Sequence, residues 1–163
     1  MLLLLITVSL LIHEGSAQSD NENLVEELNK IRGKVAKGEY VTPQGTLPPS
    51  QSLFKLERNV SLEAYANITT SDCQGVDMTP PGGSLNIYTT TLPIELQSDT
   101  MIPIALSAWM SEVDLAHGPI VSSAQQNFVN MMYYKSTQVG CSYQKCDAEG
   151  DLYFYTIACA FDQ

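Results

Sequence analysis

Four cysteines, Cys73, Cys141, Cys146 and Cys159, are the residues of this 163-residue chain with the plainest chemistry: metal ligation, thiol reactivity or disulfide formation. Structural zinc asks for closely paired cysteines or clustered histidines. Only His13 and His117 occur, and no C-x-x-C is present. Two disulfides are therefore expected, and four cysteines leave three pairings open. His117 is the other titrating candidate, near Glu112 and Asp114, with which it could make an acid/base pair. The stretch 112–117 lacks His-Glu-x-x-His spacing, and no Gly-x-Ser-x-Gly accompanies it. A histidine just before Gly118 is better explained by a helix C-terminus, whose dipole favours a cation. The sequons Asn59-Val60-Ser61 and Asn67-Ile68-Thr69 make Asn59 and Asn67 glycosylation candidates.

The start of the chain indicates where these groups work. Residues 2–12 are apolar apart from Thr7 and Ser9, and Gly15-Ser16-Ala17 resembles a small-residue cleavage site. Residues 1–17 are read as a secretory signal peptide, too short an apolar run for a membrane span. Its removal takes Glu14 and leaves 8 Lys and Arg against 17 Asp and Glu, a net charge of −9. That acidity disfavours nucleic acid and anionic membranes, which need clustered cations. Residues 18–163 are expected to form one secreted domain in an oxidising compartment, which again favours disulfides.

The elements that must position these residues follow from periodicity. Ser19 and Glu22 form a capping box, Leu24, Leu28, Ile31 and Val35 recur at helical spacing, and Gly38 supplies a stop, so a helix is expected over 20–37. The Pro- and Gly-bearing stretch 39–52 reads as a loop. A short helix is expected over 61–70, and Leu85-Asn86-Ile87-Tyr88 begins a strand or a turn of helix. Pro103 opens a helix through Val113, closed by Gly118-Pro119, with Leu106, Trp109 and Met110 facing the core. Another helix covers 125–134. Strands over 139–144 and 152–161 are joined by a turn at 147–151. In the second strand, alternation puts Tyr153, Tyr155, Ile157, Cys159 and Phe161 on one face, a set that reads as core rather than ligand platform. The sum is an α+β, three-layer domain.

The order and spacing of Asn29-x-x-Arg32-x-x-Val35-Ala36-x-Gly38, Leu47-Pro48, Leu62-Glu63-x-x-Ala66, Cys73, Asn86-Ile87-Tyr88, Trp109-x-x-Glu112-Val113, Phe128-x-x-Met131 and Gly140-Cys141 to Cys159 resemble the CAP superfamily. That superfamily comprises cysteine-rich secretory, antigen 5 and pathogenesis-related 1 proteins. The details Val35-Ala36-Lys37-Gly38 and Leu47-Pro48-Pro49 are most similar to nematode venom allergen-like, Ancylostoma-type secreted proteins. The resemblance implies an α-β-α sandwich with a central antiparallel sheet and disulfides Cys73 to Cys146 and Cys141 to Cys159. It also implies that the chain, ending at Gln163, lacks the C-terminal cysteine-rich module of channel-directed relatives.

Departures from the family pattern bear most on function. Many members place two histidines and two glutamates around a cleft able to hold a divalent ion. Here Glu112 matches one glutamate, but Leu85 and Asn127 stand in place of ligands, and no histidine lies between Cys73 and Leu85. Leu28 replaces another usual histidine, and Arg58 stands where an aromatic is usual. No metal, cofactor or catalytic residue is therefore expected. The resemblance leaves a non-enzymatic binder of a host protein, such as a leukocyte or platelet surface receptor, that modulates immune or haemostatic responses. The alternative is a carrier of sterols or fatty acids, with residues 88–100 as the suspected mobile loop.

Overall fold

The computed structural model describes residues 2–73, 75–113, 125–147, 150 and 152–163, with backbone alone for 2–19 and 147. The elements run in order α1 (Leu2–Lys37), β1 (Val41–Thr42), β2 (Gly45–Thr46), β3 (Glu57–Arg58), α2 (Val60–Ser71), β4 (Gly83–Leu92), α3 (Ser98–Met110), α4 (Gln126–Met132), β5 (Gln138–Asp147) and β6 (Tyr153–Asp162). The principal sheet has the order β3-β5-β6-β4, and β1 and β2 form a separate hairpin. β5-β6 and β6-β4 are antiparallel, but β3 lies parallel to β5, so the sheet is mixed rather than wholly antiparallel. Two residues suffice for that edge because Glu57 N donates to Thr137 O and Asn59 N to Val139 O.

Leu24, Leu28 and Val35 of α1 are buried at the expected helical spacing, packed with Met101, Leu106, Trp109 and Met131 from α3 and α4. Against them lie Val139, Cys141, Tyr155, Ile157, Cys159 and Phe161 from one face of the sheet. Leu28, the residue in a usual histidine position, is a fully buried core side chain. The opposite residues of β6, Thr156, Ala158 and Ala160, are buried as well, so β6 does not show an alternating burial pattern. Their small size lets α2 lie over that face, where Thr70 and Ser142 hydroxyls share a 2.9 Å hydrogen bond. Helices on both faces of one sheet make the α-β-α sandwich.

Several boundaries differ from sequence expectation. α1 is helical from Leu2, so Ser19 lies inside the helix instead of capping it; leucine-rich residues before it are good helix formers. α1 stops where expected: Gly38 takes φ +71°, and Gly38 N and Glu39 N donate to Val35 O and Lys34 O. α3 starts at Ser98, so Pro103 sits inside the helix rather than at its first turn. Residues 88–100 are mostly regular: the Thr-rich part completes β4 and 98–100 begin α3. The Gly118-Pro119 stop and most of the 147–151 turn fall outside the described residues. Among the described residues no helix is long and apolar enough to cross a membrane.

Both disulfides join the pairs implied by the resemblance. Cys73 and Cys146 tie the end of α2 to β5, with Cα atoms 6.3 Å apart. Cys141 and Cys159 are direct cross-strand partners 4.1 Å apart on the core face of β5 and β6.

Arg32 is the principal polar tie of the core, at 1% exposure. Its Nε and Nη2 donate to Phe54 O at 3.0 and 2.8 Å, and Nη1 donates to Met131 O and Tyr133 O. It thereby joins α1, the 53–56 segment and the end of α4. Burial lowers its pKa to about 10, opposed by Asp162, so it remains a cation at neutral pH. Arg32→Met keeps much of the apolar stem but strands three carbonyls, each losing a donor. We expect a loss of about 3 kcal/mol in urea denaturation; a loss under about 1 kcal/mol would show that water replaces the guanidinium.

Candidate functional site

The cleft residues singled out in the sequence lie between the end of α3, β4 and α4. Ser111 N closes α3 by donating to Ser107 O at 2.9 Å, and Glu112 follows. One Glu112 carboxylate oxygen accepts Asn127 Nδ2 at 2.6 Å, and the other accepts Phe128 N at 3.1 Å. Gln125, the N-cap of α4, makes no side-chain capping bond. Glu112 therefore serves as an anionic cap for α4 from another element, satisfying a first-turn amide and opposing the helix dipole.

A run of amides continues from there. Asn127 O accepts Asn86 Nδ2 at 2.9 Å, and Asn86 Oδ1 accepts Asn130 Nδ2 at 2.9 Å. Asn130 Oδ1 accepts Gln126 Nε2 at 2.7 Å. Asn86 and Asn130 are essentially inaccessible, and their mutual pairing answers the cost of burying amides. Sequence reasoning missed Asn86, Asn130 and Gln126 as a network; Asn86 carried weight there only as part of a motif.

The structure brings Glu112 and Asn127 together and leaves Leu85 apart. β4 pairs Asn86 with Cys159 and Leu85 with Ala160, so alternation puts Leu85 on the α2 face of the sheet. His117 and Asp114 lie outside the described residues. A divalent ion would need several anionic or imidazole donors. The described residues do not fit one: both oxygens of Glu112 are engaged, its neighbours are neutral amides, and no group of three or more His, Cys, Asp or Glu able to hold a metal occurs among them.

A second polar cluster stands between α1, β3 and α2. Arg58 grips Glu63 in a bidentate pair, Nε to Oε2 at 2.7 Å and Nη2 to Oε1 at 3.0 Å, and also reaches Glu22 at 2.8 Å. Hydrogen bonding to Glu63 raises the Arg58 pKa further above its ordinary value. Asn21 Nδ2 adds a 2.9 Å bond to Glu63, which is buried. Arg58 in an aromatic's usual position thus belongs to an ion-pair network. Beside it two adjoining grooves run along α1, of about 520 and 330 Å³, and they share Glu26, Asn29 and Lys55. Their floor is fixed because Asn29 bonds both N and O of Leu56 at 2.8 and 2.9 Å. Their rim presents Phe54, 64% exposed.

A four-stranded sheet between helical layers, stapled by two disulfides, defines an α-β-α sandwich domain. The chain belongs to the CAP family, the cysteine-rich secretory protein family, whose model matches residues 25–161. It is 24% identical to Venom allergen 5 of Tityus serrulatus, over 90% of this chain and 38% of that protein. It is likewise 24% identical to the Ancylostoma secreted protein of Ancylostoma caninum, over 82% of this chain and 33% of that protein. The chain thus spans about a third of the length of these relatives. Among solved structures, Na-ASP-1 matches with TM-score 0.72 at 23% identity, covering 89% of this chain and 36% of that one. BmVAL-1 matches with TM-score 0.72 at 18% identity, over 87% and 75%. A structure of NaASP2 with Zn²⁺ matches with TM-score 0.69 at 18% identity, over 86% and 77%. These likenesses establish the fold.

Proposed function

We propose that this chain is a secreted, non-enzymatic CAP protein of a parasitic nematode that binds a host protein, of the class of leukocyte or platelet surface receptors, and modulates immune or haemostatic responses. Residues 1–17 act as its signal peptide, and after their removal Ser19 is available to cap α1. The observation that carries the reading is the state of the cleft: its one retained family carboxylate, Glu112, spends both oxygens on Asn127 and Phe128. The scaffold is kept while that carboxylate is tied into structure, which moves function to the surface. The grooves beside Phe54 and Lys55 supply a mixed apolar and charged face of the kind protein partners use.

The test is saturable binding of the eukaryotically secreted protein to host plasma, leukocyte membranes and platelet membranes. Phe54→Ala with Lys55→Ala should weaken that binding roughly tenfold without altering the thermal midpoint. Glu112→Ala and His117→Ala should leave any hydrolytic background unchanged, whereas loss of turnover in either would restore an enzymatic reading. No saturable binding at micromolar protein, together with a stoichiometric lipid found on extraction and mass spectrometry, would replace the binder by a sterol or fatty-acid carrier.

A further inference from the structure

We infer that the secreted protein carries an N-linked oligosaccharide on Asn67 and none on Asn59, because the fold uses the two sequons in opposite ways. Asn59 is the N-cap of α2: its Oδ1 accepts Ser61 N at 2.8 Å and Leu62 N at 3.2 Å, while its Nδ2 donates to Gln138 Oε1. Asn67 lies exposed two turns further along α2, beside Ile68 at 50% exposure, on the helix face turned away from the sheet. Thr69, the third residue of its sequon, faces the interior with 0% exposure, and its Oγ1 has no hydrogen-bond partner among the described residues. An unpaired buried hydroxyl is a net cost to the fold, and valine would fill the same space without it. The fold gives no account of that hydroxyl. The acceptor sequon does, since it requires Ser or Thr at this position.

In the transfer, Asn67 Nδ2 bonds to the anomeric carbon of a polyprenyl-diphosphate oligosaccharide. The bond from that carbon to the diphosphate oxygen breaks, the diphosphate leaves with the electron pair, and the amide surrenders one proton to base. The modification is made on the extended nascent chain, so folding decides which products leave the cell. In the resulting planar amide the sugar carbon lies on the same side as Oδ1. On Asn59 it would crowd the Ser61 and Leu62 amides and displace the cap. On Asn67 it projects into solvent, and the sugar shields Ile68.

The inference rests on the secretory reading, and the experiment separates the two. The full chain is expressed in insect cells behind its own leader, and medium and cell fractions are mapped by peptide mass before and after peptide N-glycosidase. The expected result is a glycosidase-sensitive mass on the Asn67 peptide of the medium fraction and an unmodified Asn59 peptide. Asn67→Gln and Thr69→Val should both abolish that mass. Thr69→Val should melt at or above Asn67→Gln, because its buried hydroxyl is dispensable once folded. Secreted protein bare at Asn67, or occupied at Asn59, overturns the inference alone. A Thr69→Val protein that melts clearly below Asn67→Gln also overturns it, by giving the hydroxyl a structural role. Bare protein retained in the cytosol with its leader intact overturns the secretory reading together with it.

Discussion

Gly140→Ala is expected to cost about 3 kcal/mol, the upper end of the overpacking range, and to lower the thermal midpoint by roughly 10 °C. Gly140 lies on the α2 face of β5, opposite Ala160. A Cβ there would fall on the Glu63 backbone nitrogen and the Leu62 carbonyl carbon, and 2.6 Å from Glu63 Cα. These are backbone atoms in the first turn of a helix held by the Asn59 cap and by Arg58 on Glu63. No rotamer change relieves the contact, so α2 must lift from the sheet, loosening the Thr70 to Ser142 bond as well. Gly33 supplies the control, since a Cβ there meets nothing within 4 Å and the residue is interior to α1. Gly33→Ala should gain about 0.5–1 kcal/mol. The two glycine-to-alanine changes thus have opposite predicted signs in one denaturation assay. Equal effects would mean that α2 does not rest on β5 at Gly140.

The contrast between these glycines indicates which parts of the fold were legible in the sequence. Helical periodicity at Leu24, Leu28, Ile31 and Val35 reported the core face of α1, because a surface helix has one buried stripe. Alternation in β6 named the core face, Tyr153, Tyr155, Ile157, Cys159 and Phe161, but carried no information on burial of the opposite face, which α2 covers. The small residues Thr156, Ala158 and Ala160 were the available sign of that second layer. Pro103 misled because proline is most at home in a first turn, yet tertiary packing holds it inside α3. β3 was missed because two residues carry no period.

The site was legible by substitution more than by pattern. Glu112 and Asn127 were marked as the remnant of a family cleft, and they do meet at 2.6 Å. The amide network joined to them was not legible: Asn86 and Asn130 are 44 residues apart, and amide pairing leaves no periodic trace. The pairing of the cysteines came from family resemblance alone, since four cysteines by themselves leave three possibilities. Arg58 looked like a departure from the family. Its bidentate grip on buried Glu63 makes it part of the frame beneath the grooves.

Opening the Cys73–Cys146 disulfide should remove about 4 kcal/mol, the chain-entropy value for its separation of 73 residues, against about 3 kcal/mol for the Cys141–Cys159 bridge, separated by 18. Accessibility should make the more costly loss the easier one. Cys73 and Cys146 are half-buried, whereas Cys141 and Cys159 are fully buried between the sheet and the helical layer. A thiolate reductant must reach sulfur to exchange, so mild reduction of the native protein should open Cys73–Cys146 first. The hairpin of β5 and β6 should then persist, because Cys141 and Cys159 remain joined within a ladder running from Val139 to Asp147. The loss should fall on the junction between the end of α2 and β5, where Cys73 also accepts Thr156 Oγ1 through its carbonyl at 3.3 Å. Timed reduction, alkylation and peptide mapping give the order, and denaturation of Cys73→Ser with Cys146→Ser gives the energy. Early alkylation at Cys141 and Cys159 would mean that the native sheet opens before the outer bridge is attacked. That would place the weakest point of the domain in its centre rather than at the α2 edge.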